Sequence, residues 1–177
     1  MNKTDFKNIK VEYRQDGLYI KDTAICLVYR AEKKIHQSVI KRMCEKYKPK
    51  SVIELGFGLG DTCDAFQEYG LDKHIIIESN KEVYEDALVW AKGKEGVDII
   101  NADYRDVKID EEVDLVYEDL LDLIDGHKPF KNPFKSKHCE NFMGSFFTEA
   151  ENIRLNEILK YNYDESRYRQ HKIEWNR

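Results

Sequence analysis

Acidic side chains recur where apolar runs of this sequence end. Glu54 lies in Ser51-Val52-Ile53-Glu54-Leu55-Gly56-Phe57-Gly58-Leu59-Gly60-Asp61, and Glu78 closes Ile75-Ile76-Ile77. Asp103 follows Ile99-Ile100-Asn101-Ala102, and Glu118-Asp119 follow Val113 to Tyr117. An acid at the carboxyl end of a buried strand faces the crevice in which open α/β sheets bind ligands. Next to the first of these acids, glycine falls at alternate positions, Gly56, Gly58 and Gly60. Glycine there permits positive φ and lets a ligand approach the backbone with no Cβ in the way. Glu78, 18 residues beyond Gly60, reaches the same loop from the next strand, where a carboxylate accepts both hydroxyls of a ribose. By position Glu118 is the first catalytic candidate and Asp119 the second. Either acid could instead cap a short helix over 119–124, since acids are favoured in first turns.

Three kinds of glycine loop look alike and bind different ligands. A phosphate-cradling loop needs Lys-Ser/Thr after its last glycine, and here Asp61-Thr62 follow, so that chemistry is excluded. The dinucleotide fingerprint needs a third glycine at Asp61, where a carboxylate would repel a pyrophosphate; a nicotinamide oxidoreductase is disfavoured but stays open.

The elements that must position these residues follow from periodicity. Val52, Ile53 and Leu55 read as a buried strand, and Asp61-Thr62 as the cap of a helix to about Tyr69. Second, third and fourth strands are expected at 71–78, 97–100 and 113–117, with a helix over Glu82–Lys92 capped by Asn80. Upstream, Ile35, Val39, Ile40, Met43, Cys44 and Tyr47 recur at helical spacing between Ala31 and Lys48. Before them, alternating runs broken at Gln15-Asp16-Gly17 and Lys21-Asp22-Thr23 predict short antiparallel strands.

With 177 residues, 41% of them hydrophobic, the chain suits one globular core. Neither a membrane-length apolar run nor a signal-peptide pattern is present, so a soluble, cytoplasmic protein is expected. The four cysteines, Cys26, Cys44, Cys63 and Cys139, are widely spaced and read as reduced structural thiols. His138-Cys139 alone does not make a metal site, and none is expected. Formal charge is −5, with +3 on residues 126–177 and −8 on the remainder. A basic tail can meet an anionic partner, although a solvated polar face explains so small an excess.

Taken together, acid-x-Gly-x-Gly-x-Gly resembles motif I of the class I S-adenosylmethionine-dependent methyltransferases. Val52-Ile53-Glu54-Leu55-Gly56-Phe57-Gly58, Gln67, His74-Ile75-Ile76-Ile77-Glu78-Ser79-Asn80, Val83, Leu88, Trp90-Ala91 and Asp106-Val107 narrow this to one branch. That branch is the guanidinoacetate and arginine δ-N-methyltransferases, which read E-V-G-F-G, H-x-I-I-E-x-N, L-x-x-W-A, D-V and Y-D-T. The resemblance implies a Rossmann-like sheet that binds S-adenosylmethionine. It implies that Glu54 receives the cofactor's ammonium, that Gly56, Phe57, Gly58 and Gly60 face its methionyl part, and that Glu78 and Ser79 meet its ribose. Asp103, with Tyr104 beside it, stands where the family holds adenine. Tyr117-Glu118-Asp119 stands at Y-D-T, and Ala31-Glu32 near the family's Trp-Glu-Thr, which offers Glu32 as a second carboxylate arm. A guanidinium keeps its proton to a pKa above about 12. Its methylation therefore needs a carboxylate that grips the planar fork and accepts a proton as the transfer proceeds.

Departures from the family shape the remaining expectations. Glu118 replaces Asp, moving the carboxylate by about an ångström, enough to change which acceptor fits. Asp119 replaces threonine, and Ala31 the tryptophan. Beyond Ile124 no clear buried strand is visible, so about four parallel strands are expected in residues 1–125, with a helical and irregular extension at 126–177. In that extension a helical pattern can be drawn from Asn141 through Leu159. Tyrosines and arginines at 161–175 could stack on nucleobases, or more commonly on a neighbouring subunit. A sheet lacking its edge strand favours a homo-oligomer. The leading function is methyl transfer to a small amine or guanidino acceptor. Its alternatives are lyase or hydrolase chemistry on S-adenosylmethionine itself, and a non-catalytic binding module.

Overall fold

The computed structural model describes residues 6–120, 131–141, 148–151 and 153–154. The alternating amino-terminal runs form three antiparallel strands, β1 (Val11–Arg14), β2 (Gly17–Ile20) and β3 (Cys26–Tyr29). Gly17 is obligatory there, because a Cβ would come within 2.3 Å of the Val28 carbonyl oxygen across the ladder. A 3-10 turn at Arg30–Glu32 leads into α1 (Lys33–Tyr47), followed by β4 (Ser51–Leu55), α2 (Asp61–Tyr69) and β5 (Lys73–Glu78). Next come α3 (Lys81–Ala91), β6 (Val97–Asn101), β7 (Val113–Glu118) and β8 (Ser136–Asn141).

β4 to β8 make one parallel sheet in the order β6-β5-β4-β7-β8. This is the expected Rossmann-like parallel sheet with five strands, one more than the four expected. β8 escaped the sequence reading because it lies at the sheet's edge. Central parallel strands are apolar, being covered on both faces, whereas an edge strand can stay polar and still pair its backbone. Ser136-Lys137-His138-Cys139-Glu140 alternates half-buried and exposed. Phe134 seals its start at 7% exposure among Val116 and Ile53. His138 stacks on the Tyr47 ring of α1 with centroids 3.9 Å apart, and the Tyr47 hydroxyl donates to Glu140. β8 covers the edge of β7, which removes the bare edge on which the expectation of a homo-oligomer was argued.

Asn141 accordingly ends a strand rather than starting a helix. Residues 149–151 and 153–154 are helical, and Thr148 with Glu151 forms a reciprocal capping box. Thr148 Oγ1 accepts from the Glu151 N–H at 3.2 Å, and the Glu151 carboxylate accepts from the Thr148 N–H at 2.9 Å. Glu151 also pairs with Arg42, tying this helix start to α1. The helix expected at 119–124 falls outside the described residues from 121 onward, as does the Tyr/Arg segment at 161–175.

One face of the sheet carries the helices. Ile35, Val39, Ile40, Met43 and Cys44 of α1 pack with Phe66 of α2 over Val52, Leu115 and Tyr117. Beside them Leu18, Leu27, Val83 and Ala87 close over Ile76, so β1–β3 and α3 share a core with β5. On the opposite face Ile53, Leu55, Ile75 and Ile77 meet Tyr104, Val107 and Ile109. An open groove of about 590 Å³ lies on that face, between the starts of β5 and β6 and residues 108–111. It sits at the amino ends of the strands, away from the glycine loop. Cys26, Cys44 and Cys63 are buried free thiols and Cys139 is exposed. No helix among the described residues is long and apolar enough to cross a membrane.

Candidate active site

Sheet register decides what the site can contain. Leu55 pairs with Ile77 on one side and Glu118 on the other, and Glu78 pairs with Asn101, so the carboxyl ends of four strands lie level. The loop after β4 then turns sharply, with positive φ at Gly56 (90°), Gly58 (56°) and Gly60 (77°). The three glycines are needed for different reasons. A Cβ on Gly58 would lie 3.0 Å from Val28 Cγ2, and one on Gly60 2.9 Å from the Phe57 ring, so these two admit the protein's own side chains. A Cβ on Gly56 would meet only Leu120 and the Asp119 carbonyl, at 3.5 and 3.8 Å, on the segment leaving β7. The Gly56 bend therefore lies against the backbone and Leu120 side chain of the segment that leaves β7.

Glu78 is the clasp of the loop. At 6% exposure its Oε2 accepts from the Phe57 N–H at 2.9 Å and its Oε1 from the Asn80 N–H at 2.7 Å. Burial pushes its carboxyl above the usual range, against backbone N–H groups of Phe57, Asn80, Ser79 and Gly58 that favour the charge. Asn80 caps α3 by accepting from the Glu82 and Val83 N–H groups, and donates to the carbonyls of Phe6 and Ile9. Ser79 is half-buried beside them, and its carbonyl receives the Asn101 amide.

Glu54 is placed differently from the expectation that it receives an ammonium. It is 1% exposed, Thr62 Oγ1 donates to one of its oxygens, and His74 Nε2 lies 2.9 Å from the other. Strand alternation sends its side chain under α2, so both oxygens are engaged inside the protein. Gln67 lies 3.1 Å from the other nitrogen of His74. Cys63 joins Glu54 and His74 with ligand atoms mutually within 4.8 Å. Burial raises the Cys63 thiol well above its usual range. The helix cap also differs from expectation. Gly60 occupies the N-cap position of α2 without a side-chain cap, while Asp61 pairs with Lys33 at 2.7 Å. Phe57 turns its ring into the core against Trp90, leaving only its backbone at the loop. Asp103 caps the 3-10 turn Tyr104–Asp106 and grips Arg105 at 2.6 Å, and Tyr104 packs on the sheet face opposite the helices.

Two of the three catalytic candidates meet through a residue the sequence reading passed over. His36, 5% exposed in the first turn of α1, has Nδ1 3.3 Å from Asp119 Oδ2 and Nε2 3.7 Å from Glu32 Oε2. Burial draws the His36 imidazole down, but Glu32 and Asp119 outweigh it and hold it above its usual value. Desolvation, with Glu32, Glu54 and Glu118 adding to it and His36 opposing, pushes the Asp119 carboxyl up to about 6, although its side chain keeps 32% of its surface exposed and water offsets part of the rise. Glu118, level with Leu55, accepts from the Leu120 N–H at 3.1 Å. Below it the Tyr117 hydroxyl is buried with no partner among the described residues. The signal for His36 was in the sequence: a histidine one turn after Glu32, on the same helical face as Val39, Ile40 and Met43.

These donors fit S-adenosylmethionine. A backbone bend free of Cβ at Gly56, a buried strand-end carboxylate at Glu78 and a set of acids facing a cation suit a cationic sulfonium nucleoside. The family model for guanidinoacetate N-methyltransferase matches residues 3–112, a span that includes Glu32, the glycine loop and Glu78 and stops before β7. No curated protein matches the chain significantly. Among solved structures it resembles the Trypanosoma brucei PRMT1 enzyme-prozyme heterotetrameric complex with AdoHcy, at 24% identity and TM-score 0.42, over 49% of this chain and 28% of that one. It also resembles the N-methyltransferase NodS of Bradyrhizobium japonicum, at 14% identity and TM-score 0.45, over 50% and 49% of the two chains. A third is an S-adenosylmethionine-dependent methyltransferase of Clostridium acetobutylicum, at 14% and 0.43, over 50% and 37%. The chain thus spans less than half the length of each of these three. With a family match over more than half of its residues, and the parallel sheet, glycine bend and strand-end acids in register, the chain belongs to the guanidinoacetate N-methyltransferase family.

Proposed function

We propose that the protein transfers a methyl group from S-adenosylmethionine to a nitrogen of a small cationic acceptor of the guanidino or amine type. The observation that carries this reading is the convergence on His36 of Glu32, from the turn before α1, and Asp119, which follows β7 and whose carbonyl lies beside the Gly56 bend. When bound, S-adenosylmethionine supplies a methyl group on a cationic sulfonium. Gly56, Gly58 and Gly60 would shape the backbone around its methionyl part, with Glu78 and Ser79 at the ribose and Asp103 and Tyr104 toward the base. Phe57 would contribute through its N–H, which orients Glu78, and Glu54 by bracing the loop from beneath. Glu118 and Asp119 would grip the acceptor cation and take the proton its nitrogen loses, with Glu32 as the opposing arm. A planar guanidinium pairs with a carboxylate through two parallel N–H bonds, which fixes the attacking nitrogen.

The test is product analysis with guanidinoacetate as the probe acceptor. S-adenosylhomocysteine formed only when acceptor is present supports the reading. Methylthioadenosine or homoserine lactone formed without acceptor would replace it with lyase or hydrolase chemistry on the cofactor. Absence of cofactor binding by calorimetry would leave a non-catalytic module. In the Glu118→Gln variant kcat should fall by about 10²–10⁴, the usual worth of a positioned general base.

A further inference from the structure

His36 stands between two carboxylates that arrive from opposite parts of the chain, Glu32 at Nε2 and Asp119 at Nδ1. A neutral imidazole has one N–H and one lone pair, so toward one of these acids it would turn a lone pair against negative charge. Only the imidazolium attracts both, and at 3.3 and 3.7 Å the two contacts are ion-pair approaches. Among the described residues, the other charged groups that face it are acidic or paired. Glu54 and Glu118 come from β4 and β7, and Asp61 at the start of α2 is neutralised by Lys33 at 2.7 Å. Among the described residues no other cation lies in ion-pair range of Glu32 or Asp119. With side-chain exposures of 6% for His36 and 10% for Glu32, water screens this group poorly, while Asp119, at 32%, opens it toward the site.

We propose that His36 is the resident cation of the acceptor site: its imidazolium bridges Glu32 and Asp119 while no acceptor is bound, and a cationic acceptor takes those carboxylates by driving one proton from His36 into solvent. The inference rests on the proposed reading only in naming the acceptor as a cation. His36 acts as a positioning residue. It keeps two like-charged arms together in the empty site and yields when the guanidinium arrives, because two cations on one carboxylate repel at short range. Acceptor affinity is then linked to pH. Binding releases a proton, so affinity rises by up to about tenfold per pH unit below the titration midpoint of His36 and levels off above it. Asp119, raised to about 6, adds its own slope at lower pH, and the share due to His36 is the part lost in His36→Gln.

The experiment follows the His36 imidazole by NMR, its resonance assigned by comparison with His36→Gln. In the ligand-free protein the midpoint is expected above about 6.5, and it should fall in Asp119→Asn and in Glu32→Gln. Guanidinium chloride, below denaturing concentration and matched against equal sodium chloride, should lower the wild-type midpoint by about one unit or more. A midpoint that ignores both guanidinium and the neutralisation of Asp119 overturns the inference. Methylation of guanidinoacetate is measured in parallel. If guanidinoacetate is not a substrate and the midpoint still falls with guanidinium, the acceptor reading fails and the inference stands. If guanidinoacetate is methylated and the midpoint does not move, the reading stands and the inference fails.

Discussion

At the scale of single residues, acids with similar sequence settings do different physical work. Glu54 has both oxygens engaged by Thr62 and His74, so Glu54→Ala would leave a buried hydroxyl and a buried ring nitrogen unsatisfied and should cost about 3–5 kcal/mol of stability. Glu54→Gln keeps an acceptor for one of them and should cost about 1 kcal/mol. Urea unfolding of the two variants checks this, and equal losses would sink the bracing role. Asp119 shows the opposite linkage from a salt-bridged surface acid. Its folded carboxyl, held at about 6 by burial and by Glu32, Glu54 and Glu118, binds its proton more tightly than the unfolded carboxyl does. The contribution of this group to stability is therefore fully present below about pH 4, where the unfolded carboxyl titrates, and is lost as pH rises through about 6. His36 slopes the same way, since its raised value makes its contribution complete below about 6.5 and lost above. Asp119→Asn should flatten the fall in melting temperature between pH 4 and 7 while activity is lost; an unchanged slope would show that the shift belongs to other groups.

At the scale of elements, the short amino-terminal sheet is fastened to α3 by a few polar residues. Asn80 joins the cap of α3 to the carbonyls of Phe6 and Ile9, Glu82 receives the Val11 N–H at 2.8 Å, and the Tyr13 hydroxyl donates to Asp86. Asn80→Ala removes a cap worth about 1 kcal/mol and the amide bonds to two half-buried carbonyls, so a total loss of about 2 kcal/mol is expected. Hydrogen exchange should then speed first in β1 and in the first turn of α3. Uniform acceleration over the whole sheet would mean that these parts do not separate. The bond from the Asn80 backbone N–H to Glu78 survives this substitution, so affinity for S-adenosylmethionine should weaken only as far as the loosened cap shifts that N–H, and calorimetry reads that directly.

At the scale of the whole molecule, the helix-bearing face and the strand ends are complete, and the β7 edge depends on residues beyond 130. Phe134 closes the opposite face at the start of β8, and Phe134→Ala should cost about 3–5 kcal/mol by leaving a cavity beside Val116. Truncation after Leu120 would bare the β7 edge and should give concentration-dependent association by light scattering, since an unpaired apolar strand templates pairing with another chain. A truncated chain that stays monodisperse would refute that account. Periodicity alone marked α1, α2, α3 and β4 to β7 within about two residues, because their apolar faces repeat at 3.6 or run unbroken, as covered elements must. Contiguous residues marked the glycine bend and Glu78, and the motifs they form carried the family resemblance. Tertiary structure alone decided that the polar stretch from Ser136 is the fifth strand, that Glu54 turns under α2, and that His36 joins Glu32 to Asp119. Each of those depends on which distant segment lies alongside. Local pattern reports the face a residue shares with its own element; the partner across that face is set by sheet order and by the packing of α1 on β7.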